Sequence, residues 1–93
     1  MDKAEAKSIL AFELSKYRQK SYSDLIGLID RTEGLESHAP SGTRYQLKFF
    51  AAWDDKPNEV LRVFGAIDDG GWRAYSPLTD SFLMKPDGTF LGE

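Results

Sequence analysis

The stretch "RYQLKFFAAW", Arg44–Trp53, alternates apolar and polar side chains and predicts one long β-strand. Successive side chains of a strand point to opposite faces of its sheet, so one face of this strand is apolar. That face carries Tyr45, Leu47, Phe49, Ala51 and Trp53. The segment "EVLRVFGAI", residues 59–67, repeats the alternation and presents a matching face with Leu61, Val63, Gly65 and Ile67. The two segments therefore predict a sheet with one buried face.

The turns around these strands predict an antiparallel meander. Pro40-Ser41-Gly42 separates the long strand from a preceding one, because these residue types favour turns. Asp69-Gly70 is typical of a two-residue hairpin turn. Such a turn would pair Ile67 with Trp72 and would make "WRAY", residues 72–75, the fourth strand.

The C-terminal segment has two interpretations. Ser76 followed by Pro77 is the pattern of an N-cap and a first helical position, which favours a short helix from residue 76. Pro86-Asp87-Gly88 is a turn signal, and residues 89–91 read as a short edge strand after it. The segment therefore ends in a short helix or in a hairpin.

The N-terminal third predicts two helices. Residues 3–20 contain no Gly or Pro and place apolar side chains on one side at helical spacing. Ser21 or Ser23 caps a second, shorter helix that ends near Asp30. The expected fold is a single α+β domain, residues 1–93, in which two N-terminal helices pack on one face of a four- to five-stranded antiparallel β-meander.

The opposite face of the predicted sheet is cationic and aromatic, although the whole chain carries a net charge of −3. Its candidate ligand or partner residues are His38, Arg44, Lys48, Phe50, Arg62, Phe64, Arg73 and Tyr75. Three roles stay open for this face. The C-terminal segment covers it, or it is a protein interface that includes self-association through this face or an edge strand, or it holds a ligand or nucleic acid.

The sequence gives little indication of a catalytic site or a metal site. Asp54-Asp55 and Asp68-Asp69 would lie at opposite ends of the sheet, roughly 25 to 30 Å apart at the usual rise of a strand, so they cannot share a metal ion. The chain has one histidine and no cysteine, which argues against a zinc site or a thiolate nucleophile. No cofactor and no catalytic residue is therefore predicted.

Charge and hydropathy limit the partners. Residues 1–53 carry eight basic and seven acidic side chains, and residues 54–93 carry four and eight, so neither part is strongly basic. Nucleic acid is therefore an unfavoured partner. No apolar run is long enough to span a bilayer and no signal peptide is recognisable, so a cytoplasmic location without membrane contact is expected.

Three segments together, "LSKYRQKSYSDLIGLI", "PSGTRYQLKFFAAWDD" and "GAIDDGGWRAYSPLTDSF" with the later "KPDGTFLGE", resemble a family of small bacterial proteins of unknown function. The resemblance implies a bacterial cytoplasmic single domain. It implies no activity, cofactor or catalytic residue.

The first functional hypothesis is a small non-enzymatic interaction or accessory protein that uses the cationic and aromatic face, with a homodimer as one form of it. The alternative is a binder or hydrolase of a small anionic ligand on the same face, with His38 or Tyr75 handling the proton.

Overall fold

Strand pairing in the computed structural model, which describes residues 1–70 and 77–92, builds one antiparallel sheet. Its five strands follow one another in chain order: β1 (Glu33–His38), β2 (Arg44–Trp53), β3 (Leu61–Asp68), β4 (Leu78–Met84) and β5 (Phe90–Leu91). Each strand pairs with the next one in the sequence. The predicted α+β class with an antiparallel meander is confirmed.

Two helices precede the sheet. Helix α1 spans Lys3–Arg18, and helix α2 spans only Tyr22–Ile26 before a 3₁₀ turn at Gly27–Ile29. The Asp2 side chain accepts the Glu5 backbone N–H at 3.0 Å and so caps α1. Ser21 caps α2 in the same way through the Asp24 N–H. The long N-terminal helix is thus as predicted, whereas the second one is a single short turn of helix.

The helices cover the predicted apolar face of the sheet, which we call the inner face. Tyr45, Phe49, Leu61, Val63 and Ile67 are fully buried there. Helix α1 contributes Ala6, Leu10 and Leu14 to the same core. Burying one large apolar side chain contributes about 1.5 to 3 kcal/mol to stability, so this layer holds the domain together.

Gly65 lets α1 approach the sheet closely. A Cβ atom at this position would lie 2.9 Å from Leu10 Cδ1 and 3.0 Å from Phe49 Cε1. The Tyr17 ring stacks on Phe49 with 4.4 Å between centroids and closes the layer at the end of α1. The absence of a side chain at Gly65 therefore makes room for the packing of helix on strand.

The predicted C-terminal helix is wrong, because residues Leu78–Met84 form strand β4. Phe82 and Met84 alternate on the inner face and are buried, and the backbone pairs along β3. Burial and ladder hydrogen bonds together outweigh the local helix-start signal. Ile67 pairs with Leu78, so its expected pairing with Trp72 is also wrong. The expected strand over residues 72–75 lies outside the described residues.

The C-terminal hairpin, the other interpretation of this segment, is confirmed. The Lys85 N–H donates to the Thr89 carbonyl at 2.8 Å and leads into β5. Phe82 and Phe90 meet edge to face at 5.7 Å on the inner side. The Arg18 guanidinium lies over both rings, at 4.8 and 5.2 Å, so the end of α1 holds the hairpin in place.

The turn signal at Asp69-Gly70 is partly confirmed. Gly70 has a φ of 73°, which glycine adopts without strain. Its N–H donates to Asp68 Oδ1 at 2.8 Å. Asp68 and Gly70 therefore mark the end of β3, and the next described strand, β4, begins at Leu78.

Candidate interaction face

The side of the sheet that faces away from the helices is called the outer face here. Its described residues are Gly34, Glu36, His38, Arg44, Gln46, Lys48, Phe50, Ala52, Arg62, Phe64, Ala66, Asp68, Thr79, Ser81, Leu83 and Leu91. Residues 77–92 continue the sheet at its edge instead of folding across it. The suggestion that the C-terminal segment covers this face is therefore excluded for those residues.

Four apolar side chains form what we call the outer patch: Phe50, Phe64, Leu83 and Leu91. Phe50 and Phe64 are direct cross-strand partners, and their rings stack with 5.0 Å between centroids. Leu83 and Leu91 are partners on the neighbouring strands. Leu91 is 39% exposed, and the other three are half-buried. Leu83 lies directly opposite Arg62 and diagonal to Phe64, so the two apolar pairs are near neighbours on this face. Apolar side chains grouped on a solvent-facing sheet are typical of a binding surface.

Arg62 sits beside the outer patch in an ion pair. Its Nη2 lies 3.0 Å from Asp54 Oδ1, and its Nε donates to the same oxygen at 3.2 Å. Its Nη1 also donates to Ser81 Oγ at 3.2 Å. The sequence did not indicate Asp54 as a partner of Arg62. That carboxylate partly neutralises one of the predicted cations.

His38 and Arg44 share one carboxylate at the other end of the face. His38 Nε2 lies 3.1 Å from Glu36 Oε1, and Arg44 Nε lies 3.6 Å from the same atom. The hydrogen bond from His38 and the charge of Arg44 lower the pKa of Glu36 below its ordinary value. All three side chains are exposed. His38 is thus a surface residue beside a turn, as its sequence context indicates.

Lys48 lies between these two ion-paired ends, next to Ala66 across the strand. Within residues 1–70 and 77–92 its ammonium group has no ion-pair partner. Asp68 belongs to the outer face as well, because β3 runs one residue further than the sequence indicated. The surplus of positive charge on this face is therefore smaller than predicted. Arg73 and Tyr75 lie outside the described residues.

Two hydrogen-bonded tyrosine–carboxylate pairs on the inner side were not predicted from the sequence. The Tyr45 hydroxyl donates to Glu5 Oε1 at 2.8 Å, and the Tyr17 hydroxyl donates to Glu33 Oε1 at 2.6 Å. Burial, together with the hydrogen bond to Glu5, raises the pKa of Tyr45 to about 12. Burial and Glu33 raise the pKa of Tyr17 in the same direction. Both hydroxyls therefore stay protonated near neutral pH and act as hydrogen-bond donors.

A cleft of about 210 Å³ lies where α1, α2 and β1 meet. Lys20 and Arg31 line it together with Asp24 and Glu33. Two cations and two acids line the cleft, so its charge favours neither an anion nor a cation. In the described part of the chain, no three histidine or carboxylate side chains lie close enough together to hold a metal ion. The described helices are too short or too polar to cross a bilayer.

The fold defines the class of protein: an α+β domain whose inner face is covered by helices and whose outer face is left uncovered by the described residues. Comparison with protein-family models, with curated proteins and with solved structures finds no match to this chain. The resemblance to a bacterial family therefore stays a prediction.

Proposed function

We propose that this chain is a small interaction protein that binds another protein through its outer face, with the outer patch at the centre of the contact. The observation that carries the proposal is the position of the C-terminal hairpin. Strands β4 and β5 extend the sheet at its edge and leave the Phe50–Phe64 stack and both leucines on the solvent side. Within residues 77–92, nothing folds back over the patch.

The composition of the face supports a protein partner. Protein interfaces have an apolar centre that is rich in aromatic residues, with a polar rim around it. Here the two stacked phenylalanines come from the central strands β2 and β3, which are held rigidly by pairing on both sides. A rigid aromatic pair loses little conformational freedom on binding, which favours affinity.

The rim indicates the charge of the partner. Arg62 is engaged with Asp54, and Arg44 lies near Glu36. Lys48 is the cation of the described face that has no such neighbour. A partner surface with an apolar centre and a carboxylate opposite Lys48 complements this arrangement.

The alternative, a small anionic ligand, has less support on the same evidence. An anion over this face would have to compete with Asp54 for Arg62 and with Glu36 for Arg44. A depression of about 270 Å³ lies beside Lys48, but neither Arg44 nor Arg62 lines it, so these cations do not converge on one concave site of the kind that small molecules usually occupy. The outer patch, by contrast, is apolar and gives an anion no hydrogen bond.

Site-specific photo-crosslinking tests the proposal in the cells that produce the protein. The crosslinker p-benzoylphenylalanine replaces Phe64 in the full chain, and a matched chain carries it in place of Phe12. Phe12 is also an exposed aromatic residue, at 64%, but it lies on α1. We expect an adduct with another protein from position 64 and none from position 12. Leu91→Asp in the same chain should remove the adduct and leave the melting temperature nearly unchanged, because Leu91 lies at an exposed edge.

Three results would contradict the proposal. The first is no adduct from position 64, and the second is an equal yield from positions 64 and 12. The third is an adduct that consists only of two copies of this chain, which would assign the outer face to self-association instead of a separate partner.

A further inference from the structure

Among residues 1–70 and 77–92, no strand pairs with the outward edge of β1. The Ala39 N–H donates to the Thr43 carbonyl at 2.9 Å, so this pair belongs to the hydrogen-bonded set of the β1–β2 hairpin. Hydrogen-bonded pairs alternate with non-hydrogen-bonded pairs along an antiparallel ladder. Leu35 and Ser37 therefore bond to β2, and the backbone groups of Gly34, Glu36 and His38 point away from the sheet.

The two edges of the sheet differ in how well they are protected against pairing with another strand. At the β4 edge, β5 pairs with the end of the strand, and the outward N–H of Ser81 is taken up by the Asp80 carboxylate at 2.8 Å. Strand β1 is six residues long, pairs with β2 in an unbroken register and contains no proline. Such an edge is a template for another strand unless something blocks it.

Leu35 adds an apolar anchor to this edge. Its side chain belongs to the inner side of the sheet, because it pairs with the buried Leu47, yet it is 41% exposed. A strand placed beside β1 would find room on this side and would cover Leu35. An added strand would therefore satisfy the outward backbone groups of β1 and cover the Leu35 side chain at the same time.

We propose that a second copy of the chain occupies this edge, with its β1 antiparallel to the first and a two-fold axis between the two Leu35 residues. In this register Leu35 faces Leu35 of the second copy. Each Gly34 faces a Glu36, and these pairs exchange both backbone hydrogen bonds. Gly34 has open space at its Cβ position apart from a Leu47 carbonyl at 3.9 Å, so the Glu36 side chain meets no obstruction.

The neighbouring register is unfavourable. Sliding the second strand by two residues would place the two Glu36 carboxylates directly opposite each other, and like charges in that position destabilise a strand pair. The Leu35-centred register avoids this contact and buries the leucine. Sliding it by two residues in the other direction would place Gly34 opposite Gly34 and Leu35 opposite Glu33, so the leucine pair would be lost. The sequence of β1 therefore favours the Leu35-centred arrangement, which is symmetric as an interface between identical copies requires.

This inference is independent of the proposed function, since it uses the edge and not the outer patch. In the pair the outer faces of both copies lie on the same side of one continuous sheet. Phe64 lies two strands in from the β1 edge, so the outer-face crosslinking experiment does not report on the edge contact.

Cysteine crosslinking and sedimentation test the arrangement, and the chain contains no native cysteine to interfere. Cα atoms of a non-hydrogen-bonded antiparallel pair are about 4.5 Å apart, which is within the range of a disulfide. We expect Leu35→Cys to form a disulfide-linked dimer under mild oxidation. Ser37→Cys is the register control, because in this arrangement it faces Glu33 and not itself. It should remain largely uncrosslinked.

A proline variant tests the backbone contact. Glu36→Pro removes an outward N–H, which an edge strand tolerates, so the monomer should fold while the mass from sedimentation falls from two chains to one. Thr79→Pro, at the outward position of the β4 edge, should leave the dimer intact. Circular dichroism melting checks that each variant folds.

Two results would overturn the inference. One is a wild-type protein that sediments as a single chain at every concentration reached. The other is equal or greater crosslinking of Ser37→Cys compared with Leu35→Cys.

Discussion

The two faces of the sheet carry similar aromatic residues in different surroundings. Phe49 and Phe50 are neighbours on β2, but Phe49 is 0% exposed under the Tyr17 ring and Phe50 is half-buried against Phe64. The inner face is apolar and includes a glycine where α1 comes close, whereas the outer face mixes a small apolar patch with ion pairs. The same strands therefore supply a core and a surface, and the difference depends on which side the helices cover.

The largest expected difference in stability is between alanine substitutions of Phe49 and of Phe50. Phe49→Ala should lower the free energy of unfolding by about 3 to 5 kcal/mol, because it leaves a cavity in the core. Phe50→Ala should cost about 1 kcal/mol, since that ring is only half-buried and solvent can fill its place. Urea unfolding of both variants measures the difference. Similar losses in the two proteins would show that the outer face is covered as completely as the inner one.

The next effect compares Gly65 with its neighbour Ala66. Gly65→Val should destabilise the protein by about 1 to 3 kcal/mol, because the added atoms collide with Leu10 and Phe49. Ala66→Val also introduces a β-branched side chain into β3, but on the outer face, away from α1. It should therefore change the free energy of unfolding by less than about 0.5 kcal/mol. Thermal melting of the pair checks this. If Gly65→Val were neutral, α1 would have to lie further from the sheet than the structure shows.

The smallest effect concerns the Tyr45 hydroxyl on the inner side. Tyr45→Phe removes its hydrogen bond to Glu5 and should cost about 1 kcal/mol near neutral pH. The pKa of Tyr45 is raised from 10.0 to about 12 in the folded protein. The unfolded chain therefore loses this proton first as the pH rises.

The sign of the pH dependence follows from that difference. The contribution of Tyr45 is complete below pH 10, the ordinary pKa of the group, and is lost as the pH rises toward the folded value of about 12. Unfolding free energies measured from about pH 8 to about pH 11 should fall less steeply for Tyr45→Phe than for the wild type. Parallel curves would mean that the hydroxyl is not buried against Glu5. Tyr17→Phe should flatten the curve further, because its pKa is raised in the same direction.

Strand β4 shows where local signals stop being informative. Residues 78–84, "LTDSFLM", lack a clean alternation and follow a proline, so their local pattern favours a helix start. In the folded chain, pairing with β3 buries Phe82 and Met84, and that gain is available only once the sheet exists. The helix prediction for these residues is therefore wrong because their structure depends on pairing with β3, a long-range contact that the local sequence does not reveal.

The outer face was also predictable only in part from the sequence. Alternation along β2 and β3 placed Phe50, Phe64 and Arg62 on one face, because side-chain direction in a strand has a period of two. The partners Asp54 and Ser81 of Arg62 were not predictable, since they come from a loop and from β4. The leucines of the outer patch were also missed, because they belong to the two C-terminal strands.

The sequence by itself determined the periodic features: the helix at the N-terminus, the alternating strands β2 and β3, their apolar inner face and the glycine at the end of β3. These depend on neighbours in the chain. Only the tertiary structure decided that residues 77–92 widen the sheet and that the described residues leave the outer patch and the outward edge of β1 uncovered. Those features depend on which distant segments pair, and pairing is decided by the total area buried and the hydrogen bonds completed across the whole fold.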